Sequence, residues 1–427
     1  MNQNKIIITI LGSAGGVANG ILSILNTSAQ DANDPIHREV NNCIIHLIDI
    51  HQKDESIYSL SYPHIQDKFI YHEFDLKDTS HFTNHLIQTQ TSIVIDLSWA
   101  DTIEMIHCCD QLGVSYVNTA LENTIIDENE ELYEGFGLLE RLRQLEKHKD
   151  KILNSTAIIG SGMNPGVVQW MALELLKTDS TENQPIGCYI VEHDNSFYKN
   201  KQFAKKNVIY TTWAPECFLD EAILGYPMFM KHKNPLFLYE KVYDLEFKVT
   251  LGNIQFHGCL MAHEEVYTLG KLFDMEGGFL YKVNDHTTNL IRSHLNDVDK
   301  LWDFEMKVLD PQDAALDGED LVGVLLVYSD KERYMYNVLS NEAIFSKYKT
   351  NATYFQVACG VYASLSVLLL DQLPKGAYYV DELLLKTENH YGTYLTYYMT
   401  DFITGENEQT EGLLHNRLKN HRETETE

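Results

Sequence analysis

Residues 5–26, KIIITILGSAGGVANGILSILN, constrain the fold more than any other stretch. The run KIIITILG (5–12) is almost continuously apolar and β-branched, as a strand buried on both faces must be. Gly12, Gly15 and Gly16 follow, and VANGILSILN (17–26) then has helical spacing. A strand, a glycine loop and a helix in that order open a parallel α/β sheet. The same alternation continues through CIIHLIDI (43–50), KFIYHEFDL (68–76), SIVIDLS (92–98), SYVNTA (115–120) and STAIIGSG (155–162), with helical stretches at 101–112 and 131–149. The expected fold class is therefore α/β, with a Rossmann-type doubly wound parallel sheet.

From about 185 to 345 the texture changes. Stretches such as YDLEFKVTL (243–251) alternate apolar and polar residues, which suits a largely antiparallel sheet with one wet face. A chain of 427 residues is also long for one core. The expected division is a nucleotide-binding unit at 1–165, an α+β substrate unit at 166–349, and a segment 350–385 that packs back onto the first. The apolar run VYASLSVLLL (361–370) reads as a buried helix too short to span a bilayer. The tail 404–427 is polar and is expected to fray.

The seven cysteines show no CxxC or zinc-type spacing, and the start has no export-signal pattern, so a cytoplasmic protein with reduced thiols is expected. The net charge of −29 argues against a nucleic-acid partner, and no membrane partner is expected. It is compatible with a cationic small molecule, although acidity also serves solubility.

The loop ILGSAGGVANG (10–20) lies where a dinucleotide's pyrophosphate rests on backbone N–H groups at a helix N-terminus. Gly12 permits the tight turn, and Gly15 and Gly16 leave room for phosphate beside Ser13. Ala14 and Val17 occupy the second and third glycine positions of GxGxxG. Asp49 ends the second strand, where a carboxylate accepts the ribose hydroxyls of NAD and repels the extra phosphate of NADP. Ser98, Asn118 and Thr119 follow later strands at the crevice edge, and each can equally be read as a helix cap. Met163, Asn164 and Pro165 in GSGMNPGVVQW form a fixed turn that serves either a pocket or a simple crossing.

Five acidic residues stand out: Glu122, which capping does not explain, and Glu192, Asp194, Glu216 and Glu265, in or near apolar strand ends. Each singly reads as a solvated charge. Together, with Trp213 three residues before Glu216, they suggest a pocket for an ammonium group, since an indole face attracts cations. His263 and Glu265 could also supply two metal ligands, but no HExxH-type spacing accompanies them, and no metal is expected. His81 and His85 are read as solvated on a polar helix.

The segments ILGSAGGVANG, YVNTALENT, GMNPGVVQW, TTWAPECF, MAHEEVYTLG and NATYFQVACGVYA together resemble the bacterial homospermidine synthases, within the saccharopine dehydrogenase-like group. The resemblance runs from about 5 to 385. GMNPG, Trp213 with Glu216, and His263 with Glu265 are its specific parts. It implies an enzyme that uses bound NAD to oxidise putrescine to an imine, lets a second putrescine replace ammonia, and returns the hydride to give homospermidine. Spermidine can serve as the aminobutyl donor. It implies catalytic roles for Trp213, Glu192, Glu216, Glu265, His263 and Asn164, and substrate binding by Glu122 and Asp194, with His263 and Glu265 as the proton relay. It also implies a homodimer. The chain departs from the family's pattern at Ala14 and at Cys217, where glycine is usual, and is shorter between Trp213 and His263. Two alternatives remain at this level: another NAD(P)-linked oxidoreductase acting on an amino acid or carboxylated polyamine, and a non-catalytic NAD-binding sensor.

Overall fold

The computed structural model describes residues 5–178 and 184–419. Six parallel strands carry the first unit: β1 (Ile6–Leu11), β2 (Cys43–Asp49), β3 (Phe69–Glu73), β4 (Ile93–Asp96), β5 (Ser115–Asn118) and β6 (Thr156–Ile159). A late strand, Gly376–Tyr379, adds to β6 in parallel, so the sheet order is Gly376–Tyr379, β6, β5, β4, β1, β2, β3. Strand order reverses between β1 and β4, and a ligand crevice opens beyond the C-terminal ends of those two strands. The central strands are buried on both faces, which is why their sequences are continuously apolar.

The second unit is a nine-stranded mixed sheet among the described residues. Its centre is the strand Gly187–Asp194, parallel to Glu276–Lys282 on one side and antiparallel to Glu319–Val327 on the other. Both units share one continuous core of buried apolar side chains.

The helix Ala352–Leu370 joins them. Asn351 caps it and donates its side-chain amide to Thr212 O at 2.7 Å. Gly20 and Gly360 allow close approach on either side: a Cβ on Gly20 would lie 2.8 Å from Tyr354 O, and one on Gly360 2.1 Å from Gly162 O. Its 19 residues match the long helix expected from sequence at about 353–371, and it is apolar enough to cross a membrane by length and composition. Most of it is buried inside the protein.

The expectation of a frayed tail does not hold for 404–419. Ile403–Asn407 is a strand antiparallel to Glu332–Ser340. The Arg417 guanidinium is fully buried against the Glu332 carboxylate and donates to Gly412 O and Lys248 O. A polar composition conceals this anchor because the stabilising partner lies 85 residues upstream. The remainder of the tail lies outside the described residues.

Candidate active site

The glycine loop lies at the strand reversal. Gly12 has φ +69, and a Cβ there would lie 2.5 Å from Leu97 O beyond β4. Gly15 N donates to Gly12 O at 3.0 Å and closes the turn. Gly15 is also the N-cap of the helix Gly16–Ser28, and no side chain caps that helix. Its first N–H groups are thus left to backbone or ligand partners, as an anion site requires. A Cβ on Gly16 would meet the Tyr354 ring at 2.1 Å, so glycine is required there for packing as well. Asp49 receives Ala14 N at 2.9 Å and His51 N at 3.1 Å, which fixes its carboxylate at the lip of the loop. Val17 is half-buried on the same helix, and Ser13 N donates to Ile48 O at 3.1 Å.

The polar residues around the crevice mostly brace it. Ser98 donates its hydroxyl to Asp96 at 2.6 Å and receives Ala100 N at 3.2 Å. Asn118 ties three segments together: its amide donates to Ala120 O at 2.6 Å and its oxygen receives Gly160 N at 2.9 Å. Thr119 packs near Gly162. The turn 160–166 is held by Gly162 N to Pro165 O at 2.8 Å, with Met163 buried. The Asn164–Pro165 bond is cis. Asn164 reaches out of that turn and donates to Glu192 at 2.6 Å.

Glu192 and Asp194 share one strand, and Asp320 stands opposite Asp194 on the neighbouring one. All three carboxylates are buried. Burial pushes all three above the ordinary carboxylate range, with mutual repulsion adding to the shift at Glu192 and Asp320. Thr212 donates to Asp194 at 2.6 Å and Thr353 to Asp320 at 2.5 Å. Asp320 Oδ1 has no hydrogen-bond partner among the described residues. Aromatic rings lie alongside. Trp213 Nε1 donates to Tyr281 OH at 3.2 Å, Tyr281 stacks on Phe279 with centroids 5.6 Å apart, and the His263 ring lies 4.7 Å from Phe279.

His263 precedes the helix Glu264–Leu272 and donates from Nδ1 to Glu265, with Glu264 Oε2 at 3.5 Å. Burial opposes its charge, but Glu265, Glu221 and Glu264 together raise its pKa to about 10. Its neighbours thus favour the charged imidazolium over the proton-accepting form in which the sequence reading placed it. The groups poised near neutrality are carboxylates. Burial, opposed by nearby His263, raises Glu221 to about 8. Burial, opposed by Arg141, raises Glu122 to about 7.

Of the expected site residues, the fold gathers Asn164, Glu192, Asp194, Trp213, His263 and Glu265, and brings Glu122 within electrostatic range of Glu264. Glu216 is different: it is exposed on the first turn of Pro215–Leu219, near enough to Tyr354 to disfavour its phenolate. Sequence reading missed Glu221, Asp320 and Arg141. Glu221 follows Glu216 by five residues, in a π-helical turn, 220–224. Such turns recur at functional sites, but nothing in the local sequence marks one. Arg141 pairs with Asp127 at 2.6 Å, so this cation near the cluster already has a carboxylate. A separate open cavity of about 620 Å³ is lined by His193, Lys201, Lys205, Lys206 and Lys282, the wrong charge for an ammonium ligand.

No protein-family model matches the chain. It is 23% identical over 339 residues to a homospermidine synthase of Mesorhizobium japonicum, spanning 66% of this chain and 68% of that one. Its fold is that of the apo saccharopine dehydrogenase (L-Glu forming) of Saccharomyces cerevisiae: the two superpose with a TM-score of 0.58 over 94% of this chain and 99% of that one, at 10% identity.

Proposed function

We propose that the chain is an NAD-dependent enzyme that joins two diamines, a homospermidine synthase acting on putrescine or spermidine. One observation carries this reading. Among the described residues, the cluster of Glu192, Asp194, Asp320, Glu221, Glu122, Glu264 and Glu265 is answered within the site only by His263 and by Arg141, which already holds Asp127. Surplus buried acid raises its own pKa and favours a ligand that brings positive charge. The likeness to a homospermidine synthase supports the choice of a diamine.

The residues of the glycine loop fit NAD. The Gly12 turn has no room for a Cβ, the Gly16–Ser28 helix starts without a side-chain cap, and Asp49 stands at the end of β2 where a ribose hydroxyl donates. Bound there, NAD supplies a hydride acceptor and then a hydride donor. The protein's own groups handle the amines. Putrescine arrives as a diammonium, and the carboxylates fall into two groups bridged by His263, one around Glu192 and one around Glu221. Two anionic groups match two ammonium ends, and Trp213, bonded to Tyr281 beside the Glu192 group, offers a cation–π face. Oxidation next to nitrogen requires a neutral amine, so a base must first remove a proton. Glu221, with its pKa near 8, is suited to that step, while His263 stays charged and holds Glu265 and Glu264 in place. The second amine attacks the imine, ammonia leaves, and the proton returns through the same carboxylates.

The test is direct. Purified protein with NAD and putrescine should yield homospermidine by mass, with one ammonia per product and no accumulating NADH. NADH released once per amine consumed would make the enzyme a simple amine dehydrogenase. A product carrying a carboxylate would instead favour a saccharopine-type oxidoreductase, although Arg141, the cation nearest the cluster, already pairs with Asp127.

A further inference from the structure

We propose that the nucleotide-binding unit carries a second site, a transition-metal site formed by His46, His72 and His85, separate from the amine pocket. His46 lies on β2 and His72 on β3, and His85 is on the helix Thr79–Thr89. One nitrogen from each ring lies within 4.8 Å of the others. The His46 and His72 rings stack with centroids 5.0 Å apart, and His85 stands edge-on to both, at 5.3 and 4.5 Å. His85 was expected to be solvated, yet it is only 6% exposed, because its ring turns inward onto the two strands.

Hydrogen bonding within the cluster does not use what is there. His46 Nδ1 and His72 Nε2 share one hydrogen bond of 2.8 Å. His85 Nε2 is buried with no partner among the described residues. Buried polar atoms are nearly always satisfied, so an orphaned imidazole nitrogen beside two more imidazoles points to a missing electrophile. Neutral nitrogen donors are what a metal ion requires. Three imidazoles without thiolate or carboxylate suit Zn²⁺ and its neighbours Co²⁺, Ni²⁺ and Cu²⁺ rather than Mg²⁺ or Ca²⁺. His72 is half-buried, so a fourth position can open to water. The ion would pin β3, the sheet's outer strand, and its covering helix to β2.

The full-length protein, stripped with chelator, should be titrated with Zn²⁺ against a chromophoric competitor, and with Co²⁺ by visible absorption. The expected result is one equivalent bound, tetrahedral-type Co²⁺ bands, and a higher melting temperature with Zn²⁺. His85→Gln and, at the more exposed position, His72→Gln should each weaken binding by more than the roughly tenfold to hundredfold that loss of an outer partner causes. His263→Gln should bind as wild type does. Should His85→Gln misfold by circular dichroism, His72→Gln decides alone. The proposal is overturned if wild type binds no more Zn²⁺ than the triple His→Gln variant, or if His263→Gln abolishes binding while His72→Gln leaves it intact.

Discussion

At the scale of the residue, the site is a problem of charge without enough countercharge. Glu221 and Glu122 titrate near 8 and 7, so both gain negative charge as pH rises through neutrality. Diamine affinity should therefore increase from pH 6 to pH 8, with protons released on binding. Isothermal titration in two buffers of different ionisation enthalpy measures both, and an affinity flat across that range would remove these carboxylates from the pocket. Glu221→Gln keeps the shape and removes the base, so kcat should fall by about 10²–10⁴, the usual contribution of a general base, while NAD binding is kept. Trp213→Ala should weaken diamine use by about 0.5–2 kcal/mol, and Trp213→Phe by less. A variant that instead loses melting temperature and NAD binding together would make Trp213 a packing residue. The sequence made half of this cluster legible. Glu192, Asp194 and Glu265 stand out because acid in an apolar strand end or next to histidine is costly without a reason. Asp320 and Glu221 do not: one lies near the start of an apolar strand and meets Asp194 by pairing across strands, and the other sits in an acidic π-helical turn that the tertiary fold brings towards His263. The charge favoured at His263 was not readable for the same reason, since three neighbouring carboxylates raise its pKa and only two adjoin it in sequence.

At the scale of the element, legibility follows locality. The central parallel strands were readable because burial on both faces writes a continuous apolar run, and the glycine loop because a missing Cβ is a local demand. Asp49 tests that unit. Its carboxylate holds the loop through Ala14 N, and in the proposed reading it would repel a ribose 2′-phosphate. Asp49→Ala should narrow the preference for NAD over NADP, read from the ratio of dissociation constants, and equal binding of both cofactors by the wild type would deny Asp49 this role. Elements held by distant polar partners were not readable. The stretch 27–42 looks like an insertion, yet Asp34 is buried and receives Tyr362 OH at 2.8 Å and Tyr398 OH at 2.7 Å, which dock it onto two C-terminal helices. The tail hides Arg417 in the same way. Arg417→Ala leaves Glu332 charged and buried, and breaking such a pair costs about 3–5 kcal/mol. Urea unfolding should show that loss, whereas a frayed tail would change nothing.

At the scale of the whole molecule, the same acids set how stability depends on pH. A group that binds protons more tightly when folded stabilises below its unfolded pKa and loses that contribution as pH rises through its folded value. Glu221 and Glu122, ordinarily at 4.5, lose theirs by about 8 and about 7, and His263 loses its contribution between 6.5 and about 10. The histidines shifted the other way, His46, His85 and His193, add stability as pH rises from about 3–4 to 6.5 and change little beyond it. Above neutrality the site is thus the main source of decline until pH passes 9.0, where cysteines of the unfolded chain ionise while the buried ones stay protonated. The ligand-free protein should be most stable near pH 6–7, and its melting temperature should fall steadily to pH 8.5. Putrescine reverses the cause, because ammonium groups restore the missing positive charge and its binding favours the folded state. Its stabilising effect should be larger at pH 8 than at pH 6, and Glu221→Gln should flatten both trends. NADH, whose dihydronicotinamide ring is uncharged, brings no cation to the carboxylates and should raise the melting temperature without changing its slope against pH. If putrescine stabilises equally at both pH values, or if the slope survives Glu221→Gln unchanged, the decline arises elsewhere in a chain of net charge −29, and the buried acids are not the receptor for the amine.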